Sequence, residues 1–337
     1  MNRTLKEISF SCNPMVNLLL HVVCCFDSSF PRNPVYEEKA QEWLLPEEKR
    51  FFEQNFRLEQ TGKVSSTANF ALLFQIPAYF CSSTLGSLRD VFELMKGGKL
   101  DVLKDHFPEK KAFLNAYMPE KFQRSFFEES MKRFKNLDET IDIYRSILES
   151  VYERFYRDYW RSILLEMERK AKSLNELYFE KYSVIALWES KTRLKYPYPK
   201  FVVELADPIA TLGTSLMAER DAFSYWLTPE RIFTIISHEV RTHTIIQANS
   251  LRSSALAILF EEDSERTLRV VEALAYLTNL AIWRDEKVDL EYGRFGEFFK
   301  KETEALQVNW NDYELGRISY IDLVVKAHET LYGPSIN

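Results

Sequence analysis

The stretch PERIFTIISHEVRTH, residues 229–243, decides the predicted fold of the chain. Thr228 and Pro229 are typical of the N-cap and the first position of a helix, and Glu230 in the first turn favours the same start. The next two turns are apolar and contain Ile232, Phe233, Ile235 and Ile236. The stretch therefore predicts a helix whose early part packs against the core.

Two of the five histidines in the chain, His238 and His243, lie in this helix, and Glu239 follows the first of them. Neutral imidazoles bind Zn²⁺ through nitrogen, and a catalytic zinc site keeps one coordination position open for water. A carboxylate beside the first histidine can take a proton from that water. The pattern predicts a zinc site with His238 and His243 as ligands and Glu239 as the general base.

The spacing of His238 and His243 sets a geometric condition. Residues four apart lie about 40° apart round an ideal helix, whereas residues five apart lie about 140° apart. One π-type turn brings the two side chains back to the same face. We therefore expect a local widening of the helix between the histidines. The alternative is a regular helix with one buried and one surface histidine.

A third protein ligand is expected downstream. Glu272 is the only acidic residue in the apolar segment 267–283, where a carboxylate is costly to bury unless a positive group meets it. Glu272 is therefore the favoured ligand. Two alternatives stay open. Arg269 can form an ordinary ion pair with Glu272, and Glu262 can be the ligand instead, although its acidic surroundings are typical of a solvated turn.

These residues resemble a known group of peptidases. The stretch His238–His243, followed by Asn249 and by Glu272-Ala-Leu-Ala275, is similar to the gluzincin-like metallopeptidases with an HExxxH helix. The similarity is greatest to the QEGLA-motif proteins and the tubulin tyrosine carboxypeptidases. It covers about forty of the 337 residues.

The resemblance implies a zinc-dependent peptidase with a gluzincin-like core and a peptide or protein substrate. It implies that His238, His243 and Glu272 are the zinc ligands and that Glu239 is the general base. Three positions depart from the pattern of the group, and they bear on the substrate class more than on the metal: Arg241, Ile246 and Ala273.

The predicted fold class is mainly α with a small β-sheet (α+β). Nine glycines are few for an all-β fold, and neither Pro nor Gly interrupts residues 120–196, where apolar residues recur at helical spacing. The aromatic residues of that run are expected to pack in the core. Strands are predicted at 8–12, 201–205 and 215–224. The expected division is a helical N-terminal region, 1–196, and a metallopeptidase-like core, 197–337.

Composition excludes several classes of partner and location. The formal charge of −6 and the pI near 5.6 disfavour nucleic acid, because no diffuse positive field attracts a polyanion. The early apolar stretch 15–26 is too short to span a bilayer, so we expect a buried helix and no membrane. The four cysteines lack the spacing of a disulfide-rich secreted domain, which favours a cytoplasmic location.

Two further sets of residues have weaker signals. His21 with Cys12, Cys24 and Cys25 lacks paired C-x-x-C spacing, so burial in the core is favoured over a second metal cluster. A hydrogen-bond donor for the developing oxyanion is also expected, and the sequence does not choose among Tyr276, Tyr320, His328 and Tyr332. The alternative function is a non-catalytic helical binding or regulatory protein that keeps a zinc site.

Overall fold

A computed structural model describes residues 7–26, 32–55, 71–117, 123–124, 127–128, 130–132, 134–179, 181–211, 213–241, 254–290 and 295–333. Helices dominate these residues, and the strands among them form one small mixed sheet. The predicted α+β class is therefore confirmed.

Several N-terminal helices begin with proline. Proline is well suited to the first helical position, because a backbone N–H there would have no hydrogen-bond partner within the helix. They are α1 (Pro14–Phe26), α2 (Pro34–Trp43), α3 (Pro46–Asn55), α4 (Ile76–Phe80, after a π turn over Ala71–Gln75), α5 (Leu85–Met95), α6 (Leu100–His106), α7 (Pro108–Tyr117) and α8 (Ser130–Lys132).

The uninterrupted run before Pro197 forms the long amphipathic helices that its periodicity predicts. They are α9 (Leu137–Val151), a π turn (Tyr152–Tyr156), α10 (Arg157–Leu174) and a second π turn (Asn175–Phe179), which follow one another directly, and then α11 (Val184–Thr192). The apolar face of α9 is buried.

The described strands are β1 (Glu7–Ser11), β2 (Lys200–Ala206), β3 (Gly213–Met217) and β4 (Arg220–Ser224), in the order β1-β2-β4-β3. Strands β1, β2 and β4 are parallel neighbours, and β3 is antiparallel to β4. The sheet thus pairs β1 from the N-terminal region with β2. The proposed division at residue 196 stays a prediction.

The predicted single extended segment at 215–224 is wrong in one respect, because it folds as a hairpin. The chain reverses after Met217 and Ala218, whose φ angles are 113° and 47°. Positive φ is uncommon for residues other than glycine. Because the turn contains neither glycine nor an Asn-Gly pair, the sequence lacks the usual signal of a tight hairpin turn.

A buried ion pair joins the parallel strands of the sheet. The Arg220 guanidinium on β4 donates to Glu204 on β2, with Nε 2.9 Å from Oε1, and the two residues are 8% and 2% exposed. The other oxygen of Glu204 accepts from Ser11 Oγ at 2.7 Å and from the Asn13 amide at 3.2 Å. Arg220 also donates to the Ala78 carbonyl at 3.2 Å. These bonds connect β1, β2, β4 and α4.

The C-terminal helices are α12 (Pro229–Arg241), α13 (Ser254–Glu262), α14 (Ser264–Asp285), α15 (Phe295–Phe298), α16 (Lys300–Glu314) and α17 (Tyr320–Tyr332). The predicted N-cap of α12 is confirmed, since Thr228 Oγ1 accepts from the Arg231 amide at 3.1 Å. At the start of α14, Asp263 Oδ1 accepts from the Arg266 amide at 3.1 Å. No helix within the described ranges is long and apolar enough to cross a membrane.

His21 lies on α1, where it is fully buried and surrounded by aromatic rings. Its Nδ1 is 2.7 Å from the Tyr36 hydroxyl, and the rings of Trp43, Phe155 and Tyr156 lie 5.0–5.3 Å from its centroid. Burial lowers the pKa of His21 to about 3. The predicted core packing of the aromatic run is confirmed here, and His21 belongs to that core.

Acid should destabilise the fold through His21. Between about pH 6.5 and pH 3 the unfolded chain binds a proton at His21 that the folded chain does not, so stability falls as the pH falls, by at most about 1.4 kcal/mol per pH unit. We expect His21→Phe to cost roughly 1–3 kcal/mol at pH 8, because the Tyr36 hydroxyl loses its partner, and to flatten this slope. Urea unfolding at pH 8, 6, 5 and 4 measures both effects, and an unchanged slope would contradict the assignment.

Candidate metal centre

Helix α12 is seated on the core by its apolar face, as its sequence predicts. Ile232, Ile236 and Val240 are fully buried, and Phe233 is 1% exposed. The same packing buries His238, which follows these residues on α12 and is only 6% exposed. The helix therefore presents an imidazole to the interior.

A buried hydrogen-bond network fixes how α12 approaches its neighbours. Ser237 on α12 donates to the Asn279 side-chain carbonyl on α14, and the Trp283 indole lies between them, with Nε1 2.7 Å from Asn279 Oδ1. The Trp188 indole on α11 donates to Ser237 Oγ at 3.3 Å. The Phe233 ring packs against Trp283 with centroids 4.7 Å apart. This network, called the Ser237 network below, joins three helices one residue from His238.

The structure brings Glu272 to His238. The His238 Nε2 atom lies 2.8 Å from Glu272 Oε2, and the Glu272 side chain is 23% exposed. Glu272 precedes Asn279 by seven residues, or about two helical turns, so both lie on the face of α14 that meets α12. Two of the three predicted ligands are thus in direct contact across a helix pair.

The alternative partner for Glu272, Arg269, is engaged elsewhere. Its Nε donates to Glu302 Oε1 on α16 at 2.7 Å, and its Nη2 donates to the Phe298 carbonyl at 2.8 Å. The expected alternative of an Arg269–Glu272 surface pair is therefore not the contact that these residues make.

The competing ligand, Glu262, lies at the exposed C-terminal end of α13. Its charge acts on His328 of α17: burial lowers the pKa of His328, and the carboxylates of Asp263 and Glu262 oppose that shift. Glu262 thus lies beside α17, in the solvated position that the sequence predicts for it.

The structure describes only some of the remaining predicted site residues. Glu239 follows His238 on α12 and is partly exposed. His243, Ile246 and Asn249 lie outside the described residues. The helix is an α-helix as far as Arg241, and the predicted widening before His243 extends beyond the described residues, so it stays a prediction. In the described part of the chain, which omits His243, no three His, Cys, Asp or Glu side chains form a group with metal-ligand geometry.

The His238–Glu272 pair can be tested for its fit to zinc. Two ligands at Zn–N and Zn–O distances of about 2.0–2.2 Å and a tetrahedral angle are separated by about 3.4 Å. The observed 2.8 Å between Nε2 and Oε2 is about 0.6 Å shorter, a difference that small side-chain rotations can supply. The donor types and their convergence fit a zinc ion, with His243 as the predicted third ligand.

Sequence reasoning missed the residues that position this pair. Ser237, Asn279, Trp188 and Trp283 carry no motif of their own. One signal was present: Glu272 and Asn279 are polar residues seven apart in a mainly apolar segment, which places them on one face of a helix. That face must meet polar groups on a neighbouring helix.

Comparison of the chain with protein-family models, with curated proteins and with solved structures gives no match. Membership of a family is therefore not shown. The roles of the site residues rest on their contacts and on their chemistry.

The Ser237 network should be essential for stability. Ser237→Ala removes the hydroxyl that Asn279 and two indoles contact, and each buried polar group left without a partner costs roughly 1–3 kcal/mol. We expect a loss of roughly 2–4 kcal/mol in urea unfolding monitored by tryptophan fluorescence. Ser162→Ala, on the exposed face of α10, is the control and should change stability by less than about 0.5 kcal/mol. Equal small losses in both variants would remove the network's structural role.

Proposed function

We propose that the chain is a zinc-dependent hydrolase of peptide or similar amide bonds, with a gluzincin-like arrangement of its C-terminal helices. The observation that carries the proposal is the contact of His238 Nε2 with Glu272 Oε2 at 2.8 Å across α12 and α14. An imidazole and a carboxylate meet at one point, and Glu239, a second carboxylate, follows the imidazole on the same helix.

The residues around that point have the roles that amide hydrolysis needs. Zinc, when bound, would supply a Lewis acid that polarises the carbonyl and lowers the pKa of water. Glu239 accepts a proton from the attacking water while the water oxygen bonds to the amide carbon. The same proton passes to the nitrogen as the C–N bond breaks, and a carboxylic acid and an amine are released.

Peptides or proteins are the proposed substrates. The acidic balance of the chain, with a formal charge of −6, argues against a polyanionic partner such as nucleic acid. Cytoplasmic location is part of the proposal, and it is supported by four free thiols, three of which are buried and one half-buried. Burial raises the pKa of the Cys81 thiol to about 12, which disfavours its reactive thiolate form.

The alternative is a helical binding or regulatory protein that keeps the zinc site without turnover. A histidine–carboxylate hydrogen bond between two packed helices is also a stabilising contact in its own right. Zinc content alone does not separate the two functions, since both predict a bound ion. Turnover separates them.

The first test of the proposal concerns the metal. Purified protein should contain about one zinc per chain, and His238→Ala, His243→Ala and Glu272→Ala should each lose it, because a site with two protein ligands is incomplete. Glu262→Ala is the matched control and should keep zinc. Inductively coupled plasma mass spectrometry measures the content. Zinc lost in Glu262→Ala and kept in Glu272→Ala would make Glu262 the ligand.

The second test concerns the base. Glu239→Gln should keep zinc and lower the rate of peptide hydrolysis by roughly 10²–10⁴-fold, since general-base catalysis contributes about that factor. Short peptides with free and blocked termini, analysed by mass spectrometry, report the products. If the wild-type protein binds zinc and cleaves none of them, the binding or regulatory function is supported instead.

A further inference from the structure

Lys170 on α10 contacts the segment that leads into α12. Its Nζ donates to the Tyr225 carbonyl and, at 2.6 Å, to the Leu227 carbonyl. The two carbonyls lie between β4 and α12, in residues 225–228, which are called the β4–α12 link below. One side chain therefore connects this link to α10.

The position of Lys170 on α10 explains its partial burial. Met167, Ala171 and Leu174 form the buried face of the helix, and Lys170 lies beside that face and is partly exposed. Its aliphatic stem is therefore covered by protein, while the residue keeps contact with solvent. Lys172 lies about 160° away round the helix, and its side chain is 79% exposed.

Lys170 has two hydrogen-bond acceptors but no anionic partner. Within the described ranges, no carboxylate forms an ion pair with it. Its Nζ lies 4.8 Å from the centroid of the Tyr225 ring, and an aromatic ring attracts a cation less strongly than a carboxylate does. Lys110 shows the contrast, because its Nζ lies 2.5 Å from Glu219 Oε1. The charge of Lys170 is therefore weakly compensated.

These surroundings favour the neutral amine more than water does. Burial lowers the pKa of Lys170, because the water that would solvate the ammonium is displaced and no carboxylate replaces it. A neutral amine still has two N–H groups, one for each carbonyl, so deprotonation leaves both hydrogen bonds in place. The lone pair of the nitrogen can then attack an electrophile, which an ammonium cannot do.

We infer that Lys170 is an acyl-acceptor site at which acyl thioesters modify the protein. The amine nitrogen attacks the carbonyl carbon of the thioester, the C–S bond breaks, and the thiol leaves with the proton lost from nitrogen. The product is an amide with a single N–H. Because it can donate to only one of the two carbonyls, acylation loosens the β4–α12 link. The inference goes beyond the proposed function and requires neither zinc nor hydrolysis.

Competitive acetylation of the folded protein tests the reactivity. A trace of a small acetyl thioester, N,S-diacetylcysteamine, is added at pH values from 7 to 10. Cleavage after Glu168 and Glu176 places Lys170 and Lys172 in one peptide, whose fragment ions give the rate at each lysine. At pH 7 we expect Lys170 to react about 3–10 times faster, since each unit by which the pKa is lowered raises the neutral fraction about tenfold. The ratio should fall as the pH rises, because Lys172 then loses its proton too.

Lys110 is the control for burial without an uncompensated charge. Burial lowers its pKa, and the Glu219 carboxylate opposes that shift. Because the same carboxylate bonds to its nitrogen, Lys110 should react no faster than Lys172. In guanidinium chloride, where the chain is unfolded, all three lysines should react alike. If Lys172 reacts faster than Lys170 in the folded protein at every pH, exposure alone sets the rates and the inference is wrong.

Hydrogen exchange tests the effect of acylation on the β4–α12 link. After acetylation, amides of residues 225–232 should exchange roughly 3–10 times faster, since the loss of one buried hydrogen bond changes local opening by about that factor. Lys170→Arg keeps donors for both carbonyls but has no nucleophilic amine. The same treatment should therefore leave its exchange unchanged. Faster exchange in both proteins would assign the effect to other lysines, and unchanged exchange in acetylated wild type would show that the link does not depend on Lys170. Either result overturns the inference.

Discussion

The geometry of the candidate site depends on the Ser237 network. Ser237, Asn279, Trp188 and Trp283 are fully buried, and buried polar groups must find partners because water cannot reach them. Only a few relative positions of the three helices allow all four side chains to form their hydrogen bonds. The network therefore fixes the distance and rotation of α12 against α14. His238 follows Ser237 on α12, and Glu272 lies about two turns before Asn279 on α14. The same constraint therefore brings the His238 and Glu272 side chains together.

A second buried constraint sets where α12 begins. The Glu204–Arg220 ion pair holds β2 and β4 in register, and breaking such a pair leaves an uncompensated buried charge. Strand β4 ends at Ser224, and the Lys170 ammonium donates to the Leu227 carbonyl at 2.6 Å in the following turn. Thr228 then caps α12. The sheet therefore determines where α12, the helix that carries His238, begins.

Local patterns predicted several of the elements but few of the contacts between them. Apolar periodicity and capping residues located β1, β2, the long helices before Pro197 and the start of α12, because each of those signals lies within a few residues. The hairpin turn at Met217 and Ala218 was missed because non-glycine residues there adopt positive φ under tertiary restraint. The same holds for the Ser237 network, since Ser237 and Asn279 are 42 residues apart and nothing local selects the pair.

The choice of partner for Glu272 shows how tertiary packing decides the chemistry. A local pair with Arg269 would be worth only about 0.2–0.5 kcal/mol on an exposed helix, so longer-range contacts override it easily. Arg269 instead donates hydrogen bonds to the Phe298 carbonyl on α15 and to Glu302 on α16. Glu272, about 60° away round α14, is thereby left facing α12, where His238 is nearly buried. A carboxylate in that setting favours a positive partner, and the zinc ion of the proposed function would be such a partner at the His238–Glu272 contact.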